Sequence, residues 1–571
     1  PLYSSAASDV YKRQITCLPK MWKLLSGILS NEIRRHLDSN RLIPTEQKGC
    51  MPNCRGTKDQ LLTDKAIIKN CKRRKTNLHM VWIDYKKAFD SVPHSWLIEC
   101  MQIFKVNSEI TGFLTREMTK WSTELTSAGK VLGHVAIQRG IFQGDALSPL
   151  LFIMAMIPIS TTLRRMKKGY EMEKGKDMVS HLLYMDDLKL YAKTEEQIKS
   201  MTNTVKMISE DISMTFGLDK CAKVEMKRGK LVTGGDLMLS DGEAIKEVDD
   251  GAGYKYLGII QSDAIKKEEV KVQVRREYFR RVRLVLRSEL NAGNTIKAIN
   301  SWAIPVIRYT GGIVEWTIAE LQETDRKTRK HLTIHRAFNL NGDVDRLYVK
   351  RKQGGKGLLQ VEQVVREEEC AVAEYIKDSK NDWLMRIVKQ ERVLEAAESK
   401  SAHRQRVTEK RLEDWKNKKL HGQFQRQTED IVDEEESVRW IEDGYMKKET
   451  ESLLMAAQEQ SLRTRKIMHD IDHRNVNPKC RLCGEKDETV EHLVSACSKL
   501  AQTEYKARHD KVASIIHWKL CQKYGIAVQK DWYEHETEPV SENAKVKILW
   551  DFPIQTAVSY THLTLPTNRE V

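Results

Sequence analysis

Proline is scarce in this chain, at 12 of 571 residues, and its 29 glycines follow no period. Collagen-like, mucin-like and Pro-rich extended architectures are thereby excluded. A long hydrophobic run is missing too. The longest, Leu147 to Ile159, contains Pro149 and Pro158 and is too short to span a bilayer, so no membrane partner is expected. No secretory leader is visible. The 11 cysteines are an odd number, scattered singly from Cys17 to Cys521 apart from Cys480 and Cys483. That pattern excludes a disulfide scaffold and fits a reducing compartment with room for one metal site. An acidic surplus is also lacking. Lys and Arg number 96 against 80 Asp and Glu, a net charge of +16, which points to polyanionic partners, nucleic acid first.

What is present reads as three or four domains at about 100–200 residues each. Residues 1–14 and 557–571 match neither neighbour in pattern and are read as translated adapter sequence, outside the fold. On that reading the native frame is expected to be cut at both ends. From Ile15 to about residue 264, short apolar strand-like runs alternate with helical stretches, which predicts an α+β sheet layer.

Three carboxylates stand out. Asp84 ends the apolar run Met80-Val81-Trp82-Ile83. Asp186 and Asp187 sit between the runs Leu182–Met185 and Leu188–Tyr191, which reads as the turn of a β-hairpin. Adjacent carboxylates repel unless a cation neutralises them. Three hard oxygen ligands of this kind suit Mg²⁺, and a pair of such ions would clamp an in-line phosphoryl displacement. Gly140 and Gly144 allow close backbone approach to a nucleotide, and Ser148-Pro149 is expected to open a helix with Ser148 as its N-cap.

Read together, these segments resemble the reverse transcriptase family. Tyr184-Met185-Asp186-Asp187 is similar to its catalytic hairpin box, and Asp84-Tyr85-Lys86-Lys87-Ala88-Phe89-Asp90 to its first aspartate motif. Arg139-Gly140-Ile141-Phe142-Gln143-Gly144-Asp145 is similar to the motif between them. Cys17-Leu18-Pro19 and Gln47-Lys48-Gly49 match finger segments. Phe216–Cys221 and Tyr254–Gly258 match the last palm motifs. The resemblance implies a right-hand polymerase: a ferredoxin-like palm with partial fingers over 15–264, and a helical thumb over 265–345. It implies that Asp84, Asp186 and Asp187 hold two Mg²⁺, or Mn²⁺ in their place. It also implies that Phe89 gates against the ribose 2′-hydroxyl, and that Arg139, Gln143 and Gly144 contact nucleotide or template. Lys220 or Lys223 would protonate pyrophosphate, a choice left open, and Arg55 would reach the triphosphate.

The helical pattern over Glu268–Glu289 is strongly basic. Arg275, Arg276, Arg280, Arg281 and Arg283 are expected to pair with template–primer phosphates. Residues 346–474 read as a charged helical linker. Cys480, Cys483, His492 and Cys497 then give C-x₂-C-x₈-H-x₄-C over 475–500, a spacing that closes one tetrahedral structural Zn²⁺ site. Ala298–Tyr309, Asp325–Lys330 and Asp345–Tyr348 resemble the non-LTR retrotransposon branch that carries a C-terminal restriction-like endonuclease. By the same resemblance, Arg508, His509 and Asp510 open a truncated nuclease over 501–556 that lacks its metal-binding core.

The expected function is an RNA-directed DNA polymerase using an RNA template, a DNA primer at its target and dNTPs, made in the cytoplasm and acting in the nucleus. The alternatives are an inactive copy that only binds nucleic acid, or an intron-maturase-like RNA binder.

Overall fold

Every residue of Leu78–Ile83 (LHMVWI) is buried, and this segment is the central strand, β1, of a five-stranded sheet. A strand covered on both faces has no solvent side, so it reads as a continuous apolar run and not as an alternation. The computed structural model describes residues 16–248, 251, 253–379, 382–551, 554–556 and 559–561. Residues 1–14 and most of 557–571, set aside above, lie outside that description.

A hairpin of β2 (His181–Tyr184) and β3 (Asp187–Ala192) pairs with one edge of β1, and β4 (Ala222–Lys227) with the other. Strand β5 (Lys230–Val232) follows, giving the order β2-β3-β1-β4-β5, antiparallel throughout. The helices that matter most are α1 (Lys20–Ser39), α2 (Thr57–Arg74), α3 (Ser148–Arg165) and α4 (Glu195–Asp211). With α3 between β1 and β2 and α4 between β3 and β4, the β1–β4 core is ferredoxin-like, the α+β palm expected from the sequence.

Helix α3 buries every residue from Leu150 to Ile157, as an all-apolar helix must. Its start corrects one expectation. Leu147 is the N-cap and Ser148 the first helical residue, buried and capping nothing. Pro149 still lies in the first turn, where its missing N–H costs nothing.

Two buried polar groups tie the hairpin into the palm. Lys189 is fully buried, with Nζ 2.5 Å from Asp64 Oδ1 on α2 and 4.3 Å from the centre of the Trp82 ring. The Tyr191 hydroxyl donates to the same carboxylate at 2.7 Å. Removing either ion would strand the other, a loss of about 3–5 kcal/mol.

His181 is also fully buried, between the hydroxyls of Ser160 (2.7 Å) and Ser180 (2.8 Å), and burial pushes its pKa down to about 4. Its unfolded value is 6.5. A depressed folded pKa contributes stability that is present above the unfolded value and lost as pH falls towards the folded one. Between pH 6.5 and 4, wild type is expected to lose about 3 kcal/mol that His181→Gln does not lose. Urea denaturation of both proteins at pH 7 and pH 4.5 measures the difference.

The chain forms two compact units. The first takes the residues up to Tyr278, Pro305–Gln322 and Val361–Arg404. The second takes Phe279–Ile304, Glu323–Gln360 and the residues from Gln405 onwards. Helix α5 (Lys267–Arg287) begins in the first unit and ends in the second. Residues 346–474 contribute to both units. Helix α6 (Val361–Asp378) buries the stripe Val361, Val364, Val365, Val372 and Ile376. It also places Glu368 3.0 Å from Arg55 and 2.9 Å from Lys58. Beyond it, Glu391 takes Arg73 at 2.7 Å and Asn70 at 2.6 Å. These ion pairs join α2 to a segment some three hundred residues away, which composition alone does not reveal.

In the second unit, Arg346 is buried against Trp415, with Nε donating to Gly354 O at 2.9 Å and Nη1 to Met455 O at 3.2 Å. The helices Lys400–Asn417 and Glu434–Asp443 bury only Trp415 and Ile441, which accounts for their charged composition. Among the described residues, no helix is long and apolar enough to cross a membrane.

Candidate active site and metal centre

The β1–β3 register ends at Ile83 opposite Leu188. Carried one residue further, it sets Asp84 opposite Asp187. Cross-strand neighbours of this kind have Cβ atoms about 4.5–5.5 Å apart. Tyr184 pairs with Asp187, so Met185 and Asp186 form the two-residue turn of the hairpin. The fold thus delivers Asp84, Asp186 and Asp187 to one end of the sheet, two from strand ends and one from a tight turn.

The loop before β4 wraps Asp84. The Gly217 N–H donates to Asp84 O at 2.8 Å, and the Asp84 N–H lies 3.5 Å from Cys221 Sγ. A Cβ on Gly217 would lie 3.2 Å from Asp84 Oδ1, so a side chain there would press on the carboxylate. Asp219 Oδ1 stands 3.7 Å from that same point. Gly217, Asp219 and Cys221 were quoted in a motif, but their contact with Asp84 needs the fold to be seen. Tyr254 stacks on Trp82 at 4.8 Å. Its phenol is held protonated first by burial and then by the charges of Asp84 and Asp187.

Strand register also separates the two lysines. Trp82 pairs with Ala222, so Lys220 falls opposite Asp84, and its Nζ is 3.3 Å from Asp84 Oδ1. Lys223 pairs with Val81 and points to the other face. It is fully buried, 3.1 Å from Gly235 O and 3.6 Å from both Glu195 and Glu225. Lys220 and Lys223 thus stand on opposite faces of the sheet, because a change of parity moves the side chain through it.

Phe89 is half-buried, stacked on the buried Phe152 at 4.7 Å with 3° between the rings. One face is fixed by packing. Arg139 is exposed beside Pro93, Gln143 is half-buried, and Gly144 is exposed with φ 107°. Gly140 serves the fold instead of a ligand. Its φ is 90°, and a Cβ there would lie 3.1 Å from the Asp90 backbone.

Arg55 packs on α6. Besides Glu368, it donates to Ala371 O at 2.8 Å and lies over the Tyr375 ring at 5.5 Å.

On α5, Arg276 and Arg280 are exposed, whereas Arg275 and Arg283 are half-buried. Arg281 donates to Trp302 O at 2.8 Å and stacks on its ring at 5.2 Å.

A second centre lies in the other unit. Ligand atoms of Cys480, Cys483, His492 and Cys497 all lie within 4.8 Å of one another. Cys480 and Cys497 sulfurs are 4.0 Å apart, and Cys483 Sγ is 3.4 Å from His492 Nε2. Three soft sulfurs and one imidazole fit a closed tetrahedral zinc site. Backbone N–H groups of Glu485 and Lys486 lower the Cys483 thiol to about 6, so it is ready to ligate as thiolate. Sequence reasoning missed Glu488, which is fully buried beneath the knuckle. Its carboxylate accepts from Arg481 Nε at 2.8 Å and from the N–H groups of Arg481 (3.0 Å) and Arg465 (2.9 Å). The Arg481 guanidinium, then those N–H groups, hold its pKa down at about 2. An acidic residue eight positions after Cys480 in a charged loop carries no sequence signal of such a role.

Arg508, His509 and Asp510 open the helix Lys506–Tyr524. Arg508 donates to Val494 O at 2.9 Å and lies over the Tyr505 ring at 5.3 Å, which binds it to the knuckle. His509 and Asp510 contact each other at 3.1 Å. Ile554–Thr556 is a strand paired with Ser559–Thr561, part of the segment set aside from the sequence.

A family model described as reverse transcriptase (RNA-dependent DNA polymerase) matches residues 9–261, which contain all three carboxylates and begin inside the 1–14 segment. The Pol polyprotein of a type-1 retrotransposable element R2 from Popillia japonica is 25% identical over 315 residues, covering 54% of this chain and 50% of the relative. The corresponding protein of the type-2 element R2DM from Drosophila melanogaster is 21% identical over 355 residues, covering 61% and 32%. The chain therefore spans half or less of the length of these relatives. A telomerase structure from Candida albicans, in complex with a fragment of telomeric RNA, aligns at 12% identity with a TM-score of 0.34, covering 72% of this chain and 57% of that one. At that level the likeness carries no structural conclusion.

Proposed function

We propose that this chain, whose residues 9–261 are a reverse transcriptase domain of the non-LTR retrotransposon kind, is an RNA-directed DNA polymerase that extends a nicked chromosomal 3′-end by copying its element's RNA. The observation that carries the reading is the β1–β3 register, which ends at Ile83 opposite Leu188 and so brings the next residues, Asp84 and Asp187, to the same end of the sheet as the turn residue Asp186.

The donor set, three carboxylates on fixed backbone, fits two Mg²⁺, or Mn²⁺ in their place. Held by Asp84, Asp186 and Asp187, the ions would supply acidification of a primer 3′-hydroxyl and charge neutralisation on the triphosphate. The protein's own contribution is position. The sheet fixes Asp84 and Asp187, and the Lys220 ammonium, 3.3 Å from Asp84, is the group in reach to protonate departing pyrophosphate. Exposed Arg276 and Arg280 supply phosphate contacts without sequence preference. One Zn²⁺ on Cys480, Cys483, His492 and Cys497 has a structural role, because all four positions are filled by protein. Since the primer is chromosomal, the protein is made in the cytoplasm and acts in the nucleus.

Phe89 sets sugar choice in this reading. Its ring is stacked on the buried Phe152. Phe89→Val is expected to raise ribonucleotide incorporation relative to deoxyribonucleotide by about ten- to two-hundredfold. Single-nucleotide extension with UTP and dTTP in competition measures the ratio.

The test of the function is extension of a labelled DNA primer on an RNA template by the purified full chain with dNTPs and Mg²⁺. Template-length cDNA, abolished by EDTA, is the expected result. Binding of RNA with no extension would leave the nucleic-acid binder as the better reading.

A further inference from the structure

We propose that Glu46–Gly49 is a positioning element for the metal-binding turn, with Gln47 as its central residue; this rests on the polymerase reading above. Gln47 forms a parallel bridge with Leu183 of β2. The Leu183 N–H donates to Glu46 O at 3.1 Å, and the Lys48 N–H donates to Leu183 O at 3.0 Å. Gln60 on α2 seals the junction, its Nε2 donating to Glu46 O at 2.7 Å and Leu183 O at 2.8 Å. The outer side of the hairpin is therefore paired right up to the turn.

The turn itself is unusual. Met185 has φ 57°, in the left-handed region that a non-glycine residue enters only when its surroundings hold it there. Two contacts do so. Gln47 Oε1 accepts from the Met185 N–H at 3.1 Å and from the Gly49 N–H at 2.7 Å. A Cβ on Gly49 would lie 2.6 Å from Met185 Cγ and 2.8 Å from Met185 N, so only glycine leaves room for the turn.

A third observation separates positioning from packing. Gln47 is buried, and its Nε2 has no partner among the described residues. A buried amide with an unmet donor carries a cost, and an apolar side chain of the same shape would remove it while leaving the Met185 and Gly49 N–H groups without their acceptor. What such a side chain lacks is the oxygen that fixes Met185, and with it the adjoining Asp186 and Asp187. Gln47 is thus a positioning residue acting on the carboxylates through the backbone.

The experiment is a Mn²⁺ titration of the full chain followed by electron paramagnetic resonance, which reads binding and not turnover. Gln47→Met keeps the shape and removes the acceptor; it is expected to weaken Mn²⁺ binding at the carboxylate site about tenfold, the scale of an outer-shell loss. Gln47→Glu keeps the oxygen and is expected to bind within about threefold of wild type. If Gln47→Met folds poorly, Gln47→Asn, which withdraws the oxygen but keeps the polarity, decides the matter in the same way. Asp186→Ala is the reference for loss of the site. Should Gln47→Met bind Mn²⁺ like wild type while Asp186→Ala does not, the positioning role is overturned and the polymerase reading stands. Should Asp186→Ala also bind like wild type, both fall.

Discussion

Replacing Asp186 by alanine is expected to lower dNTP incorporation by about a thousandfold or more, while RNA binding stays within about twofold of wild type. The size follows from the role. A metal ligand at the reacting centre supports transition-state charge stabilisation of several kcal/mol, and each 1.4 kcal/mol is about tenfold in rate. Binding is spared because Asp186 is an anion in a tight turn, and it offers a nucleic-acid backbone only repulsion. Asp84→Ala should behave in the same way. A Lys220→Ala change should cost less, because one general acid contributes about a hundred- to ten-thousandfold and water can replace it in part. Single-turnover extension and gel shift, run on the same preparations, give the two readouts. A loss of RNA binding equal to the loss of extension would mean that the variant had merely unfolded.

Cys483→Ser is expected to remove zinc altogether. Structural zinc sites contribute about 10–16 kcal/mol of apparent binding free energy, so dissociation constants run from roughly tens of nanomolar down to picomolar. Loss of one of four ligands in a closed site forfeits most of that. The ordering of this segment depends on it. Cys480 and Cys497 are buried, and the surrounding strands are only single bridges and turns, such as Lys479 with Asp487. Apart from the metal, the Glu488 carboxylate is what holds Arg465 and Arg481 together. Metal analysis should find one zinc per wild-type chain and less than a tenth of that in Cys483→Ser. Hydrogen exchange should show lost protection across 479–505 and unchanged protection in β1–β4. Retained protection after chelation would show that the knuckle is held by packing alone.

The parts of the site legible in the sequence are those whose chemistry is local. Asp84 at the end of LHMVWI, and Asp186-Asp187 between two apolar runs, announce strand tip and hairpin turn by pattern alone. Cys480, Cys483, His492 and Cys497 carry their site in their spacing. What stayed hidden depended on register or on distant pairing. Lys220 and Lys223 are indistinguishable as letters, and only the pairing of Trp82 with Ala222 assigns them to opposite faces. The contacts of Arg55 with Glu368 and Ala371 span more than three hundred residues and leave no local signal. Nor does composition show that Val361–Arg404 belongs to the palm-containing unit. Gln47 lay inside a quoted segment, but its grip on Met185 is a side-chain hydrogen bond to a turn met 138 positions later.

The most direct test of the central claim, that Asp84, Asp186 and Asp187 form a divalent-metal site, is an anomalous difference map. It requires crystals of the full chain with primer, RNA template and a non-hydrolysable dNTP, soaked in Mn²⁺. The expected result is two peaks about 3.5–4 Å apart, in coordination distance of these carboxylates. Mn²⁺ bound elsewhere in the crystal, with no peak beside Asp84, would contradict it.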